Sequence, residues 1–317
     1  MSFSKNPISA AEFPKEASEG GEFRRQASVF REWVSAAGRS AFKAEAGRYH
    51  LYVSSACPWA HRVIIVRKLK QLEDVIGMTT VDPIRDARGW AFTNEEDPLN
   101  GFQFLAEAYQ KSDPSFDGRV TVPALWDKQT GRILNNESAE ILRMLNTEFD
   151  AWGDSNMDLY PEAERAGIDA LNELIYNNVN NGVYRSGFAS TQAAYEAAVG
   201  PLFGVLEDLE KRLADRRYLM GETITEADWR LFTTLVRFDA VYYGHFKCNL
   251  KRIVDFPNLW GYLRDLYQVP GVAETVNFDH IKRHYYVTHL AINPTGIVPT
   301  GPEIDFQEPH GRGGGTR

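Results

Sequence analysis

The most informative part of the sequence reads Tyr49-His-Leu-Tyr-Val-Ser-Ser-Ala-Cys-Pro-Trp-Ala-His-Arg62, followed by Val63-Ile-Ile-Val66. The residues up to Val53 are apolar, aromatic or β-branched, and they predict a short strand. Pro58 is typical of the first position of a helix, where its missing N–H would have no partner anyway. The apolar positions that continue beyond it, with basic residues among them, predict a helix with one solvated face. Cys57 is therefore expected at the N-terminus of a helix, where backbone amides and the helix dipole stabilise a thiolate.

The Cys57 motif resembles the thioredoxin-like active site, but Ala60 stands where the second cysteine of Cys-x-x-Cys would be. A local disulfide cannot form, so a mixed disulfide on Cys57 must wait for an external thiol. The alternative is a buried and inert cysteine, since free cysteine is among the most buried residue types. The combination of strand, Cys-Pro and helix favours a monothiol nucleophile.

Length and composition predict a two-domain globular protein of the cytoplasm. The 317 residues exceed the length of a typical single domain. With 35 basic and 43 acidic residues the formal charge is −8, which gives no indication of a nucleic-acid partner. The N-terminus lacks the pattern of a secretory signal, and no apolar run approaches the roughly 18 residues that cross a membrane. Two cysteines fit a reducing cytoplasm, and the histidines lack metal-site spacing, so no metal is expected.

The first half of the chain predicts an N-terminal arm, residues 1–40, and a thioredoxin-like α/β domain, residues 41–149. In the arm, Phe30 and Trp33 lie one helical turn apart; such aromatic residues either pack onto the core or cover an active-site cleft, and packing is favoured. Strands are predicted at 49–53, 76–81, 124–126 and 132–134, and a helix that opens at 135–140 and runs to 145. Pro123 enters the third strand and belongs at an edge, at a first position or in a cis turn. The long insertion at 82–118 carries Trp90, which either forms a pocket wall or fills the core.

The second half predicts an all-helical domain at residues 160–292, after a polar linker around 149–160. Helices are expected at 161–179, at 202–213 with Pro201 as the entry, and at 229–243, 257–267 and 279–290. Thr225-Glu-Ala-Asp228 is a capping-box variant, which gives Asp228 a structural role. The tail at 293–317 is rich in proline and glycine and is expected to be extended or disordered.

An α/β thioredoxin-like domain followed by an all-α domain resembles the glutathione transferase fold, and a set of motifs narrows the resemblance. In order they are Cys57-Pro-Trp-Ala-His61, Arg119-Val-Thr-Val-Pro-Ala-Leu-Trp-Asp127, Asn136-Glu-Ser138, Asn180-Asn-Gly-Val-Tyr-Arg-Ser-Gly-Phe188, Arg237-Phe-Asp-Ala-Val-Tyr242, Phe246-Lys-Cys-Asn249, His280-Ile-Lys-Arg-His-Tyr-Tyr286 and Asn293-Pro-Thr-Gly-Ile-Val-Pro299. Together they resemble the glutathionyl-hydroquinone reductases, the Xi class of glutathione transferases. The resemblance implies glutathione as co-substrate and a homodimer.

The resemblance also implies where glutathione binds. Val122, before a cis-proline, pairs with the glutathione backbone, while Glu137 and Ser138 bind the γ-glutamyl group. The chemistry fits, because a carboxylate suits the ammonium and a hydroxyl with helix-end amides suits the carboxylate. Ser138 also suits a simple helix N-cap, and the two roles are compatible. By the same family pattern Trp90 and Arg119 contact glutathione.

The implied substrate is a glutathionyl-hydroquinone, a phenolic ring bound to glutathione through a thioether. Its carbon–sulfur bond yields to a thiolate only once the ring is protonated to a keto form, which calls for a nearby acid. The family pattern assigns this role and ring binding to Tyr184, Tyr242 and Tyr286, and leaves Tyr285 open. Where relatives carry a second tyrosine shortly after Tyr242, this chain reads Tyr243-Gly-His245, and a changed ring selectivity is expected.

Two other functions use the same residues differently. An omega-like thiol transferase, acting on mixed disulfides or on dehydroascorbate, needs Cys57 but no tyrosine cluster. A non-catalytic binding module of the same fold needs neither, and its Cys57 would be unreactive.

Overall fold

The computed structural model describes residues 16, 18–92 and 97–312. These residues divide into two compact units. The first contains Arg25–Ser155 and Asn277–Val298 together with Glu16; the second contains 18–24, 156–276 and 299–312. This division departs from the predicted domain boundaries, because the arm is shared between the units and the last helix joins the first unit. The parts of the arm at 1–15 and 17, of the insertion at 93–96 and of the tail at 313–317 lie outside the described residues.

The first unit is built on a sheet whose central strand is the predicted one. β3 (Tyr49–Val53) is completely buried, runs parallel to β4 (Gly77–Thr80) and antiparallel to β5 (Ala124–Asp127), which pairs with β6 (Arg132–Asn135). Within the described chain the strand order is β4-β3-β5-β6. Two short parallel strands, β1 (Val34–Ser35) in the predicted arm and β2 (Phe42–Lys43) just after it, are not expected from the sequence. The mixed sheet is of the thioredoxin-like type that the sequence predicts.

The helices of this unit are α1 (Pro58–Leu69), α2 (Leu105–Ser112), α3 (Ser138–Thr147) and α9 (Phe278–Thr288). The prediction of a solvated face on α1 is wrong. Arg67 is buried and donates to the carbonyls of Ile76 and Glu73, at 2.7 and 2.8 Å. Lys70, also buried, pairs with Asp150 at 2.7 Å. Basic side chains here satisfy buried carbonyls and a carboxylate, a role that their charge alone does not reveal.

The arm is extended where the spacing of Phe30 and Trp33 suggested a helical turn. The Glu32 amide donates to the carbonyl of Leu134 at 3.1 Å, and the Asn136 amide donates to the carbonyl of Phe30 at 3.0 Å. These bonds lay the arm beside the edge strand β6. Backbone pairing along that edge replaces the local helix, because it satisfies polar groups that the sheet leaves unpaired.

The regular secondary structure in the described residues of the second unit is helical, apart from isolated bridge residues such as Tyr218 and Gly221. Its α-helices are α4 (Arg165–Ile175), α5 (Asn181–Gly187), α6 (Gln192–Arg212), α7 (Glu226–Arg237) and α8 (Pro257–Tyr267). Pro201 does not open a helix: it lies inside α6, whose N-cap Thr191 accepts from the Ala194 amide. No helix in the described ranges is long and apolar enough to cross a membrane.

The predicted capping box is confirmed. The Thr225 amide donates to the Asp228 carboxylate at 2.8 Å, and both reciprocal bonds of the box are present. Asp228 also accepts from the Leu219 amide and from the Tyr262 hydroxyl, each at 2.9 Å. One buried carboxylate thus ties the start of α7 to two neighbouring segments.

From Pro299 onward the described part of the tail has no helix or strand and packs within the second unit. Phe306 stacks on Tyr267 with ring centroids 4.9 Å apart and meets Trp260 at 5.4 Å. Arg312 donates to the carbonyls of Leu213 and Arg217, each at 3.0 Å. The tail is therefore ordered by aromatic contacts and by hydrogen bonds to carbonyls.

Candidate active site

Cys57 is the N-cap residue of α1, with extended backbone angles and Pro58 at the first helical position. Its carbonyl accepts from the His61 amide at 2.9 Å, and its own amide donates to Ser54 O at 3.1 Å. Among the described residues its side chain makes no capping hydrogen bond, and the thiol is partly exposed. The sulfur lies at a helix N-terminus, where orphan amides favour negative charge.

Val122 lies next to this sulfur. The distance from Cys57 Sγ to the Val122 carbonyl oxygen is 3.5 Å, and the Val122–Pro123 peptide bond is cis. Within the described part of the chain, the Val122 amide has no hydrogen-bond partner. A peptide ligand beside Cys57 can therefore pair with it, as in strand addition.

The start of α3 presents Glu137 and Ser138. Glu137, not Ser138, is the N-cap: its carboxylate accepts from the Ala139 amide and from the Ser28 hydroxyl, each at 3.1 Å. Ser138 occupies the first helical position, is buried, and makes no hydrogen bond to any other described residue through its hydroxyl. The capping alternative for Ser138 is therefore wrong, and its hydroxyl stays available beside the helix-end amides.

Trp90 and Arg119 lie in the same unit as Cys57, each held by a residue that the sequence did not single out. The Trp90 indole is buried and stacks on the imidazole of His284 with centroids 5.0 Å apart. The Arg119 guanidinium donates to both carboxylate oxygens of Glu16, at 2.8 and 2.9 Å. A ligand carboxylate that uses Arg119 must share the guanidinium with Glu16 or displace it. Glu16 lies in a polar segment whose sequence gives no indication of a binding role, whereas His284 lies inside the motif His280–Tyr286.

Two of the predicted tyrosines lie together in the second unit. Tyr184 on α5 and Tyr242, the last residue of a π-helical segment (Phe238–Tyr242), have ring centroids 6.1 Å apart. They form an aromatic cluster with Phe23 of the arm, Phe188 and Phe246. π-Helical turns are frequent at functional sites, where they displace side chains from the regular helical positions.

Tyr286 belongs to α9 in the first unit, with Cys57. Burial raises the pKa of its phenol, so the hydroxyl stays protonated at neutral pH. Tyr285, whose role the family pattern left open, is buried and meets the imidazoles of His284 and His289 with centroids 5.2 and 5.5 Å away. These contacts give Tyr285 a packing role in α9.

His245 and Cys248 follow Tyr242 and are both buried. Burial lowers the pKa of His245 to about 4, so its imidazole is neutral at physiological pH. Burial raises the pKa of the Cys248 thiol to about 12. The Cys248 amide donates to the Tyr242 carbonyl at 3.0 Å. Cys248 therefore has the surroundings of a structural cysteine, in contrast to Cys57.

Known proteins match the chain along most of its length. The family models for the N-terminal and C-terminal domains of glutathione S-transferases match residues 56–148 and 192–265. The glutathionyl-hydroquinone reductase YqjG of Escherichia coli is 54% identical over 306 residues, which are 93% of this chain and 93% of that protein. The glutathionyl-hydroquinone reductase PcpF of Sphingobium chlorophenolicum is 51% identical over 289 residues, 90% of this chain and 91% of its own.

The chain belongs to the glutathione transferase family. Solved structures place it in the Xi class of that family. The glutathione transferase Xi of Phanerochaete chrysosporium has a TM-score of 0.89 and 53% identity, with 92% of this chain and 97% of the other covered. The glutathione-bound structure of YqjG has a TM-score of 0.88 and 53% identity, with 90% of this chain and 96% of the other covered. The fold predicted for this Xi-class transferase, a thioredoxin-like domain plus an all-helical domain, is confirmed.

Proposed function

We propose that this chain reduces glutathionyl-hydroquinones with glutathione, and that Cys57 is the nucleophile. The observation that carries the proposal is the position of Cys57, a partly exposed thiol at the N-terminus of α1 and 3.5 Å from the Val122 carbonyl. The activity named for the two bacterial relatives supports the substrate class. Within the family, a partly exposed cysteine at this helix start together with a glutathione-binding domain indicates thiol chemistry on glutathione conjugates.

Glutathione binding is assigned to residues of the first unit. The Val122 amide pairs with the glutathione backbone, as a peptide pairs with an edge strand. Glu137 takes the γ-glutamyl ammonium, and the Ser138 hydroxyl with the N-terminal amides of α3 takes its carboxylate. Trp90 and Arg119 complete the set. Glutathione is thereby oriented with its sulfur toward Cys57, which gives the reacting atoms the alignment that thiol exchange requires.

In the first half-reaction the Cys57 thiolate attacks the sulfur of the glutathionyl group. By then a tyrosine has given its proton to the ring carbon that bears this sulfur, and the ring hydroxyl has returned its own proton to the tyrosinate, which gives the keto form of the ring. The carbon–sulfur bond breaks, its electron pair leaves with the ring as hydroquinone, and a Cys57–glutathione disulfide forms. Tyr286, a protonated phenol in the same unit as Cys57, suits the donor role. The family pattern assigns ring binding to Tyr184 and Tyr242, whose aromatic faces suit stacking and whose hydroxyls suit oxygen partners.

In the second half-reaction the thiolate of another glutathione attacks the mixed disulfide. The products are oxidised glutathione and the Cys57 thiolate, so electrons balance: one glutathione thiol and the thioether sulfur of the substrate become a disulfide, while the ring carbon is reduced and carries a hydrogen in place of sulfur. Because one product leaves before the second glutathione reacts, ping-pong kinetics are expected.

The test compares Cys57→Ser with Cys248→Ser in turnover of a glutathionyl-hydroquinone. Cys57→Ser is expected to abolish turnover, while Cys248→Ser keeps it, because only the first sulfur forms the mixed disulfide. Mass spectrometry of the protein after one equivalent of substrate should detect glutathione attached at Cys57. Full activity in Cys57→Ser would refute the nucleophile assignment.

Substrate comparison separates this function from that of an omega-like thiol transferase. Turnover of mixed disulfides or dehydroascorbate without turnover of glutathionyl-hydroquinones would favour the transferase. We also propose a homodimer and a cytoplasmic location, following the family pattern. Both cysteines are free thiols, which fits a reducing compartment, and sedimentation velocity measures the oligomeric state directly.

A further inference from the structure

We infer that His284 is a positioning residue of the glutathione site: its imidazole ring fixes the indole of Trp90 and ties it to helix α9. The inference rests on the proposed role of Trp90 in glutathione binding. It concerns a residue that makes no direct contact with the reacting atoms and acts through another side chain.

The first observation is the ring stack. The Trp90 indole and the His284 imidazole lie 5.0 Å apart, centroid to centroid, with only 18° between their planes. Both side chains are buried, at 5% and 8% exposure. The Arg85 guanidinium also lies 5.4 Å from the Trp90 ring centroid. A buried indole with a parallel partner and a nearby guanidinium is restricted in rotation, so its orientation toward a ligand is set before the ligand arrives.

The second observation is a hydrogen bond that uses the edge of the same imidazole. His284 Nδ1 lies 2.7 Å from the carbonyl oxygen of Pro83. A carbonyl only accepts, so Nδ1 carries the proton and donates. The bond fixes the rotation of the ring about its own side-chain axis. It joins α9 to the segment 83–90, which ends in Trp90.

A second tie joins the same two elements. The Arg85 amide donates to the Thr288 hydroxyl oxygen at 3.2 Å, one helical turn beyond His284. The segment 83–90 is therefore held to α9 at Pro83 and at Arg85, and the imidazole adds the contact with Trp90. Helix α9 also carries Tyr286, so one helix orients the proposed glutathione contact and presents the proposed proton donor.

The ring and the N–H of His284 can be removed separately. His284→Phe keeps a flat ring for the stack but removes the donor, and His284→Asn keeps a donor at the Nδ1 position but removes the ring. If His284 acts through Trp90, the ring is the part that matters for glutathione. The experiment is calorimetric titration of the full-length reduced protein with glutathione, together with thermal melts of each variant.

His284→Asn is expected to raise the glutathione Kd about tenfold. His284→Phe is expected to keep the Kd within about twofold while lowering Tm, because the Pro83 carbonyl loses its donor. Trp90→Leu should weaken binding, and adding His284→Asn to it should weaken it little further, since coupled residues are non-additive. If His284→Asn does not fold, His284→Leu replaces it, because leucine fills the space without a flat ring. The same loss of glutathione affinity is expected.

A merely structural His284 would lower Tm in both variants and leave the Kd of both unchanged, and that result overturns the inference. If His284→Asn binds glutathione with the wild-type Kd while Trp90→Leu binds it more weakly, the inference is overturned but the proposed function is not. Unchanged binding in Trp90→Leu overturns the assignment of Trp90, and the inference with it. Full additivity in the double variant likewise contradicts action through Trp90.

Discussion

Selective alkylation distinguishes the two cysteines of this chain. Cys248 is fully buried, and burial raises the pKa of its thiol to about 12. At pH 7.5 its thiolate fraction is then on the order of 10⁻⁵ to 10⁻⁴, whereas an ordinary exposed thiol of pKa near 8.5 is ~10% ionised. Since alkylation proceeds through the thiolate, Cys248 should react at least ~10³-fold more slowly than an exposed thiol. Cys57 is partly exposed at a helix N-terminus, so the reagent can reach its sulfur.

The assay is intact-protein mass spectrometry during treatment of the folded protein with iodoacetamide. The wild-type chain and Cys248→Ser should each gain one adduct, while Cys57→Ser gains none over the same period. Loss of reductase activity should follow the adduct at Cys57 in proportion. Two adducts formed at comparable rates in the folded wild type, or full activity after complete labelling at Cys57, would refute the reasoning. A folded Cys57 that does not react at all would instead favour a non-catalytic binding module.

Three further outcomes are expected. Between pH 7.5 and 5.5 the free energy of unfolding should fall by about 1 kcal/mol through His245. The unfolded imidazole, with a pKa near 6.5, takes up a proton in this range, whereas the folded one, with a pKa of about 4, does not. Urea titrations at both pH values should show a smaller fall in His245→Phe. Asp228→Ala should cost about 3 kcal/mol in urea unfolding, since it leaves four buried donors, including the Tyr262 hydroxyl, without their acceptor. Glu16→Gln should lower the glutathione Kd about fivefold, because it removes an ion pair of ~1 kcal/mol that competes for Arg119, and an unchanged Kd in calorimetry would exclude that competition.

The features that the sequence predicts correctly depend on neighbouring residues. The strand ending at Val53, the proline after Cys57 and the capping box at Thr225 each involve residues a few positions apart, so the local sequence is enough to predict them. The same holds for the hairpin of β5 and β6, whose strands are joined by a short turn. The position of Cys57 at the start of a helix is predictable for this reason.

The features that were missed depend on partners distant along the chain. The arm is extended because it pairs with a sheet edge about a hundred residues away, which no local spacing of Phe30 and Trp33 reveals. The pairs Lys70–Asp150 and Glu16–Arg119 likewise join remote segments. The prediction that Pro201 opens a helix is wrong, because proline favours a helix start but the helix that Thr191 caps continues through it.

The N-cap position of Cys57 exposes a thiol at the start of α1 at the expense of helix stability. The N-cap position favours a short oxygen-bearing side chain that accepts from the first free amides, and in the described structure the sulfur of Cys57 makes no such bond. Serine at this position can make it, so an inactive Cys57→Ser protein should melt a few degrees above the wild type, a gain of roughly 0.5–1 kcal/mol. Thermostabilising this scaffold by improving its helix caps would therefore select against the sulfur that we propose as the nucleophile.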